Sequence, residues 1–273
     1  IASQMSVMRS TLLGSLLQVL KFNLDRKAER VRVFELGRVF LRDASVKSSD
    51  TTVEGFHQPM RVAGLAYGAA QPLQWGSKEQ GVDFFDVKGD VEALLAPLQA
   101  QFEPAEHPAM HPGRCARVRV AGREIGYVGE LHPRWRQSWD LQQAPVLFEL
   151  ELDAVLQRPV PGFRPVAKHQ SVQRDLAVVV AESVTHAQLM GAIEAALPAT
   201  TLRGAVLFDV YRPKPLRASE EAAVGALAQG EKSLAVRLTL GSDVATLTET
   251  EIEAAVQAVV EQLAARTGAK LRA

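Results

Sequence analysis

The sequence has 273 residues, which is longer than one ordinary small domain and suits two. Hydrophobic residues make up 47% of the chain and charged residues 23%, a balance that excludes disordered and fibrous proteins. The 31 basic residues equal the 31 acidic residues, so any nucleic-acid site must be a local patch rather than a result of net charge.

The apolar stretches and the cysteine count bound the class of protein further. No stretch reaches the roughly 20 apolar residues that span a bilayer, and no signal-peptide pattern opens the chain. Cys115 is the only cysteine, which excludes an internal disulfide and a four-cysteine zinc site and fits the reducing cytoplasm. The chain begins at Ile1 and runs directly into a helical pattern, so we interpret it as a fragment of a longer polypeptide.

The first half of the chain predicts a few helices and several strands. Leucines at helical spacing from Leu12 to Leu20 form one stripe, and Asp83 begins a second helix. Strand patterns cover residues 31–40, 60–67, 116–120, 124–131 and 146–152. Because few crossover helices are available, we predict a mainly antiparallel sheet in an α+β fold.

A histidine-containing segment precedes the third of these strands. His107, His111 and Cys115 are spaced four residues apart, but the prolines between them exclude the helix that would place them on one face. We therefore favour a tight turn at Pro112-Gly113, which presents Arg114, over a zinc site. No other grouping of side chains forms a recognisable catalytic motif, so the sequence predicts no catalytic residue and no metal ligand.

A proline-rich stretch divides the chain. Three prolines and one glycine fall between Arg158 and Pro165, a composition that cannot sustain a helix or a central strand. We predict a first domain over residues 1–157, a linker over 158–166 and a second domain over 167–273.

The sequence pattern of the second domain predicts the element order β-α-β-β-α-β. The apolar run over 176–180 is typical of a well-buried strand, and capping boxes at Thr185 and Thr248 begin two helices, the second of which ends at Gly268. Alternating residues predict strands over 206–211 and 234–240, and 269–272 form a short last strand. This order is the ferredoxin-like pattern, in which two helices cover one sheet face and leave the other open.

Basic residues of the second domain fall at the strand ends and within one strand. They are Arg174, Arg212, Lys214, Lys232 and Arg237. In the ferredoxin-like order several of them gather around the open face as a patch for RNA phosphates, with ordinary solvated surface charge as the alternative. Tyr211 is the only strong aromatic candidate on that face, so the sequence favours backbone contacts over base stacking.

Ten short segments, in order along nearly the whole chain, resemble the beta subunit of bacterial phenylalanine–tRNA ligase. They are Met5–Leu13, Arg32–Phe40, Asp83–Gly89, His111–Arg114, Gly126–Pro133, Phe148–Leu150, Arg174–Ala177, Phe208–Arg212, Lys232–Leu234 and Thr246–Thr248. Each segment is a weak signal alone, but their combination is specific.

The resemblance implies a class II synthetase-like antiparallel sheet module without its own chemistry, followed by a ferredoxin-fold anticodon-binding domain. In this family a catalytic alpha subunit ligates phenylalanine to tRNA(Phe) with ATP and Mg²⁺, in an assembly of two alpha and two beta chains. The chain should therefore be a non-catalytic part of that cytoplasmic ligase, binding tRNA for protein biosynthesis but no cofactor, DNA or membrane. Contacts with alpha are expected at Leu12, Leu16, Leu20 and Arg38, although core packing explains the leucines equally well.

One segment departs from the family pattern, and two other functions stay open. The connection between Arg212 and Lys232 is long, so we interpret 213–230 as an insertion, with a short helix over 220–228 as an option, beside the predicted RNA surface. The alternatives are a stand-alone RNA-binding protein and an amino-acid-sensing regulatory module, since ferredoxin-like domains support both functions.

Overall fold

The computed structural model describes residues 6–160, 162, 168–213, 227–228 and 230–272. The chain divides into two compact units, Ile1–Pro161 and Gly162–Ala273. The predicted linker over 158–166 is described only at 158–160 and 162, so its bounds stay a prediction. The predicted insertion over 213–230 lies outside the described residues except at 213, 227–228 and 230.

The first unit begins with a helix and continues mainly as strands. In chain order the described elements are α1 (Leu13–Leu24), β1 (Val31–Arg38), β2 (Leu41–Arg42), β3 (Phe56–His57), β4 (Met60–Tyr67), α2 (Phe84–Leu95), β5 (Ala100–Pro104), β6 (Met110–Val120), β7 (Arg123–Leu131), α3 (Pro133–Ser138), β8 (Val146–Glu151) and α4 (Leu152–Leu156). The sequence patterns missed β2, β3, β5, α3 and α4, which are all short.

Six of these strands form one sheet in the order β1-β4-β8-β7-β6-β5, and β2 and β3 pair separately. Every pair within the large sheet is antiparallel, which confirms the predicted fold class. The leucines of α1 pack on one face with Leu65 and Leu147, whereas Val87 and Val91 of α2 pack on the other face. The sheet is therefore covered on both sides where the helices lie.

Both helices of this core have an identifiable start. Asp83 caps α2 in a capping box with Asp86, as its sequence position predicts. The N-cap residue of α1, Leu12, has no side chain that can cap the helix. Glu149 of β8 takes that role, because its carboxylate accepts hydrogen bonds from the Leu12 amide (2.7 Å) and the Thr11 hydroxyl (3.0 Å).

The turn predicted at Pro112-Gly113 is wrong. Both residues lie inside β6, where the pairing with β7 shifts register between Met110 and Cys115. An irregularity of this kind accommodates a proline within a strand, because the residues inside it do not need ladder hydrogen bonds. Arg114 is exposed there and pairs with Glu130 of β7.

The second unit follows the predicted order of elements. They are β9 (Val172–Ala181), α5 (His186–Ala196), β10 (Leu202–Tyr211), β11 (Glu231–Leu240), α6 (Glu249–Thr267) and β12 (Lys270–Leu271). The sheet order is β10-β11-β9-β12, and every neighbouring pair is antiparallel. This arrangement confirms the ferredoxin-like prediction.

The helix boundaries of this unit agree with the sequence signals. Thr185 and Thr248 both form capping boxes, and Gly268 ends α6 with φ of 67°, a left-handed conformation that glycine adopts without strain. The prediction of a well-buried strand over 176–180 holds for alternate residues. Leu176, Val178 and Val180 are buried against the helices, but Ala177 and Val179 face the other side of the sheet.

In the part of the chain that the structure describes, no helix is long and apolar enough to cross a membrane.

Candidate nucleic-acid interface

The two helices of the second unit cover one face of its sheet and leave the opposite face open. The covered face consists of alternate apolar residues such as Val178, Val236 and Leu238, which pack with Leu189 and Val259 from the helices. Side chains alternate along a strand, and directly opposite residues share a face, so the register identifies the open face. Its members include Asp175, Ala177, Val179, Ser233, Ala235, Arg237, Val206, Phe208, the exposed Asp209 and Tyr211.

The centre of this open face is made of small side chains. Ala177 of β9 lies opposite Ala235 of β11, and Ser233 lies opposite both Val179 and Tyr211. Ala177 and Ala235 are partly exposed, so a flat ligand can approach the sheet there, whereas the Ser233 side chain is buried at 4% exposed.

Exposed aromatic and apolar side chains of β10 border this floor. Val206, Phe208 and Tyr211 are 61%, 51% and 48% exposed. The prediction that Tyr211 is the only strong aromatic on this face is wrong, because Phe208 lies there too. The pairing of β10 with β11 shifts between Leu207 and Asp209, and this irregularity places Phe208 beside Arg237 on the open face.

Two arginines stand over the two aromatic rings. The guanidinium carbon of Arg237 lies 5.3 Å from the centre of the Phe208 ring, and that of Arg272 lies 5.4 Å from the centre of the Tyr211 ring. Both distances are within the range of a cation–π contact. The sequence patterns gave no signal for Arg272, which follows β12 and reaches Tyr211 only through the folded sheet.

Arg237 is also held in place by a carboxylate. Its guanidinium donates two hydrogen bonds of 2.7 Å to Asp175, directly opposite on β9. These bonds hold the pKa of Asp175 below its ordinary value and raise the pKa of Arg237. The pair is therefore intact at neutral pH, and its stabilising contribution is lost only as the pH falls through the lowered pKa of Asp175.

Two other predicted RNA-binding residues, Arg174 and Lys232, do not lie on the open face. Arg174 lies on the helix-covered side, opposite Leu238, and pairs with Glu249 of α6 at 2.6 Å. Lys232 also faces the covered side and is 8% exposed; it donates to the carbonyl oxygen of Glu182 at 2.8 Å. The strand alternation corrects the expected placement of both residues, since each is an even number of positions from a buried residue of its own strand.

Arg212 and Lys214 complete the predicted set. Arg212 follows β10 and pairs with the Glu182 carboxylate at 2.9 Å, so Glu182 contacts both Arg212 and Lys232. Lys214 lies outside the described residues. Of the five predicted residues, the structure places Arg237 on the open face, and the RNA-binding roles of all five stay predictions.

The residues predicted to contact an alpha subunit include both buried and exposed side chains. Leu12, Leu16 and Leu20 are 0–2% exposed and lie in the core between α1 and the sheet, so the structure corrects their assignment to an interface. Arg38 is exposed at the end of β1 and donates to the Gln58 carbonyl oxygen at 2.8 Å. Exposed apolar side chains occur instead on β1, an edge strand, where Phe34 is 73% and Leu36 53% exposed.

In the histidine-containing segment of the first unit, Cys115 is buried and the histidines are partly buried. The Cys115 thiol lies 3.6 Å from the Met110 sulfur, and burial raises the pKa of the thiol to about 11. Burial also lowers the pKa of His107. Among the described residues, no group of three or more histidine, cysteine, aspartate or glutamate side chains is arranged to hold a metal ion.

Comparison with protein families gives two matches that together span most of the chain. Residues 1–152 match the model of the phenylalanyl tRNA synthetase beta chain CLM domain, and residues 167–272 match the ferredoxin-fold anticodon binding domain. Three similar relatives carry the name phenylalanine–tRNA ligase beta subunit. They come from Ralstonia nicotianae (51% identical over 277 residues), Chromobacterium violaceum (50% over 272) and Dechloromonas aromatica (46% over 273).

Each of these alignments covers the whole of this chain but only 32–33% of the relative. The chain thus spans about a third of the length of the curated relatives it matches.

Proposed function

The chain belongs to the phenylalanyl-tRNA synthetase beta-chain family, and from that premise we propose that it is the tRNA-binding and subunit-docking part of a phenylalanine–tRNA ligase beta subunit. The observation that carries this proposal is the open sheet face of the second unit. It lies in the region that matches an anticodon-binding domain, and it presents Phe208 and Tyr211 beside a floor of small residues.

Base stacking fits this surface better than the backbone-only contacts that the sequence favours. Proteins read single-stranded RNA by stacking unpaired bases on exposed aromatic rings and by hydrogen bonds to the base edges. Phe208 and Tyr211 supply two such rings, and Arg237 and Arg272 supply positive charge beside them. The preferred ligand is therefore an unpaired tRNA loop rather than a continuous duplex.

The chemistry of ligation belongs, in this proposal, to a separate alpha subunit that uses ATP and Mg²⁺. The first domain, residues 1–157, docks on that subunit, and the second domain, 167–273, holds tRNA(Phe) in a complex of two alpha and two beta chains. The role in protein synthesis places the complex in the cytoplasm.

Binding of tRNA by the chain is the direct test of this function. We expect the chain to bind an RNA hairpin with an unpaired loop more tightly than a blunt duplex of the same stem sequence. The logarithm of the association constant should fall linearly with the logarithm of salt concentration, because phosphate contacts release counterions. Equal affinity for the hairpin and the duplex, or no binding at low salt, would contradict the proposal.

A second prediction concerns catalysis. The chain alone should show no phenylalanine-dependent exchange of pyrophosphate into ATP, and exchange should appear when an alpha subunit is added. One carboxylate on the central strand β8 of the first unit, that of Glu149, has a structural role, because it caps α1. Exchange by the purified chain at a rate that does not depend on added alpha subunit would show that the chain has its own active site.

A third prediction concerns docking. The double substitution Phe34→Ser and Leu36→Ser should abolish co-purification with an alpha subunit, because both apolar side chains project from the edge strand β1. Phe22→Ser is the matched control, since Phe22 is an exposed aromatic on α1, which packs on the other face of the sheet. Unchanged co-purification of the double variant, or an equal loss in the control, would rule out β1 as the docking site.

A further inference from the structure

Residues 69–82, which form the loop between β4 and α2 of the first unit, carry two apolar side chains that are almost wholly exposed. Leu73 is 89% exposed and Trp75 102%. Exposed apolar patches on folded proteins mark interaction sites, and tryptophan is enriched among the residues that contribute most to binding. The loop therefore has the character of a contact site rather than of ordinary surface.

The ends of this loop are tied together, so its tip is presented on a fixed base. Two backbone hydrogen bonds join the ends, one from the Ala70 amide to the Gln80 carbonyl oxygen (2.8 Å) and one from the Val82 amide to the Gly68 carbonyl oxygen (2.9 Å). A loop that is already closed loses less conformational entropy when a partner binds. The exposed side chains of the tip are thus available for docking at little cost in ordering.

An apolar groove of about 210 Å³ lies beside the loop, between β1 and α2. Its lining includes Gly64 and Ala66 of β4, Val87 of α2, Phe34 of β1 and Phe148 of β8. The groove is smaller than the roughly 300–1,000 Å³ of pockets that hold drug-sized molecules. It suits one large apolar side chain of a partner instead.

Arg32 of β1 connects the groove to the loop. Its guanidinium donates to the Asp90 carboxylate of α2 at 2.7 Å and to the Ala70 carbonyl oxygen, at the base of the loop, at 3.4 Å. Arg32 and Asp90 also line the groove. The exposed loop and the groove are therefore neighbours on one side of the sheet, the side on which Phe34 and Val87 lie.

We propose that the 69–82 loop and this groove form one docking surface for the alpha subunit. The inference rests on the proposed function and extends the docking site on β1 to the neighbouring loop. Leu73 and Trp75 enter an apolar pocket of the alpha subunit, and an apolar side chain of that subunit enters the groove. Buried anchors of the two partners typically pair in this way at protein interfaces.

The charge of this surface favours a protein partner with a basic rim. Between positions 69 and 92 the chain has five acidic and two basic residues, and the surface stays acidic when Arg32, which pairs with Asp90, is included. Such a surface repels RNA phosphates. A second copy of the chain is disfavoured too, because a two-fold interface would place the same acidic residues against each other. We therefore expect lysine or arginine around the pocket of the alpha subunit.

The test measures the affinity of the whole chain and its variants for a purified alpha subunit. The double variant Leu73→Ser and Trp75→Ser should bind at least about thirtyfold more weakly, the loss expected for interface anchors. Its circular dichroism spectrum and unfolding midpoint should not change, because neither side chain is packed in the core. Phe22→Ser is the matched control and should bind normally, since Phe22 is an exposed aromatic on α1, which packs on the opposite face of the sheet.

Two adjacent residues of opposite charge, Lys78 and Glu79, identify the class of partner. Both line the same small cavity of the loop. Glu79→Lys should weaken binding to the alpha subunit about threefold at low salt, because the new charge faces a basic rim. Lys78→Glu should not weaken it, and raised salt should reduce the difference between the two variants. The reverse order of affinities would contradict a basic rim, and weaker binding of an RNA hairpin by Lys78→Glu alone would assign the loop to RNA.

Three further results would overturn the docking surface. Unchanged affinity of the Leu73 and Trp75 double variant, together with lost binding in the Phe34 and Leu36 double variant, would restrict docking to β1 and leave the proposed function intact. Self-association of the chain in sedimentation, abolished by the loop substitutions, would assign the surface to a second copy. Failure of the unaltered chain to bind an alpha subunit would overturn both the docking surface and the proposed docking function.

Discussion

Gly126→Ala is expected to lower the free energy of unfolding of the first unit by roughly 3–5 kcal/mol, the combined size of backbone strain and overpacking. Gly126 lies in β7 with φ of 151°, a conformation that residues with a side chain rarely adopt. An added Cβ would lie 2.0 Å from the backbone carbonyl oxygen of Glu149 on β8. Because the colliding atom belongs to the backbone of the central sheet, no side-chain movement can relieve the contact.

The measurement is denaturant unfolding followed by tryptophan fluorescence. All three tryptophans, Trp75, Trp135 and Trp139, lie in the first unit, so the signal reports that unit alone. Gly122→Ala is the matched control. Gly122 also has a positive φ, of 77°, but an added Cβ would meet no atom within 4 Å, so we expect a loss of about 1 kcal/mol. Equal losses at the two glycines would contradict the steric argument.

Phe208→Ala and Tyr211→Ala should each weaken binding of an RNA hairpin with an unpaired loop about tenfold or more, and together by about a hundredfold. The expectation follows from the one to three kcal/mol, approximately, that each stacked base contributes. Both rings are about half exposed on the open sheet face, so their removal does not open a cavity in the core. Affinity is measured by titration of labelled hairpin at fixed salt.

Two controls accompany these variants. Tyr211→Phe keeps the ring and should retain most of the affinity, since stacking needs the aromatic face. Val244→Ala removes an exposed apolar side chain from the loop after β11, away from the strands, and should leave the affinity unchanged. Affinity that is unchanged in the Phe208 and Tyr211 double variant would mean that RNA does not stack on the open face.

Local signals in the sequence predicted the elements of the second unit well, but missed the short elements of the first. The capping boxes at Thr185 and Thr248 and the end of α6 at Gly268 depend only on neighbouring residues, so a single sequence reveals them. The ferredoxin-like order could be predicted from the sequence, because the apolar residues of each long strand and helix recur at the spacing typical of that element. The same reasoning could not find the cap of α1, because Glu149 is more than 130 positions from Leu12 in the sequence.

The site was harder to predict, because one strand irregularity changes which side chains share a face. Strict alternation separates Phe208 from Tyr211, and the register shift after Leu207 brings both to the open side. Arg174 and Lys232 are the converse case, since their charge suggests an exposed surface while their strand position turns them towards the helices. The leucines of α1 show that an apolar helical stripe does not distinguish a core from an interface.

The location of bound RNA on the second unit tests the central claim most directly. A tRNA that carries a photoactivatable uridine in its unpaired anticodon loop would be cross-linked to the chain, and the modified peptides identified by mass spectrometry. Cross-links should fall on β10 and β12, at or beside Phe208, Tyr211 and Arg272. Cross-links confined to α5 and α6, or to the first unit, would contradict the claim that the open sheet face holds the tRNA.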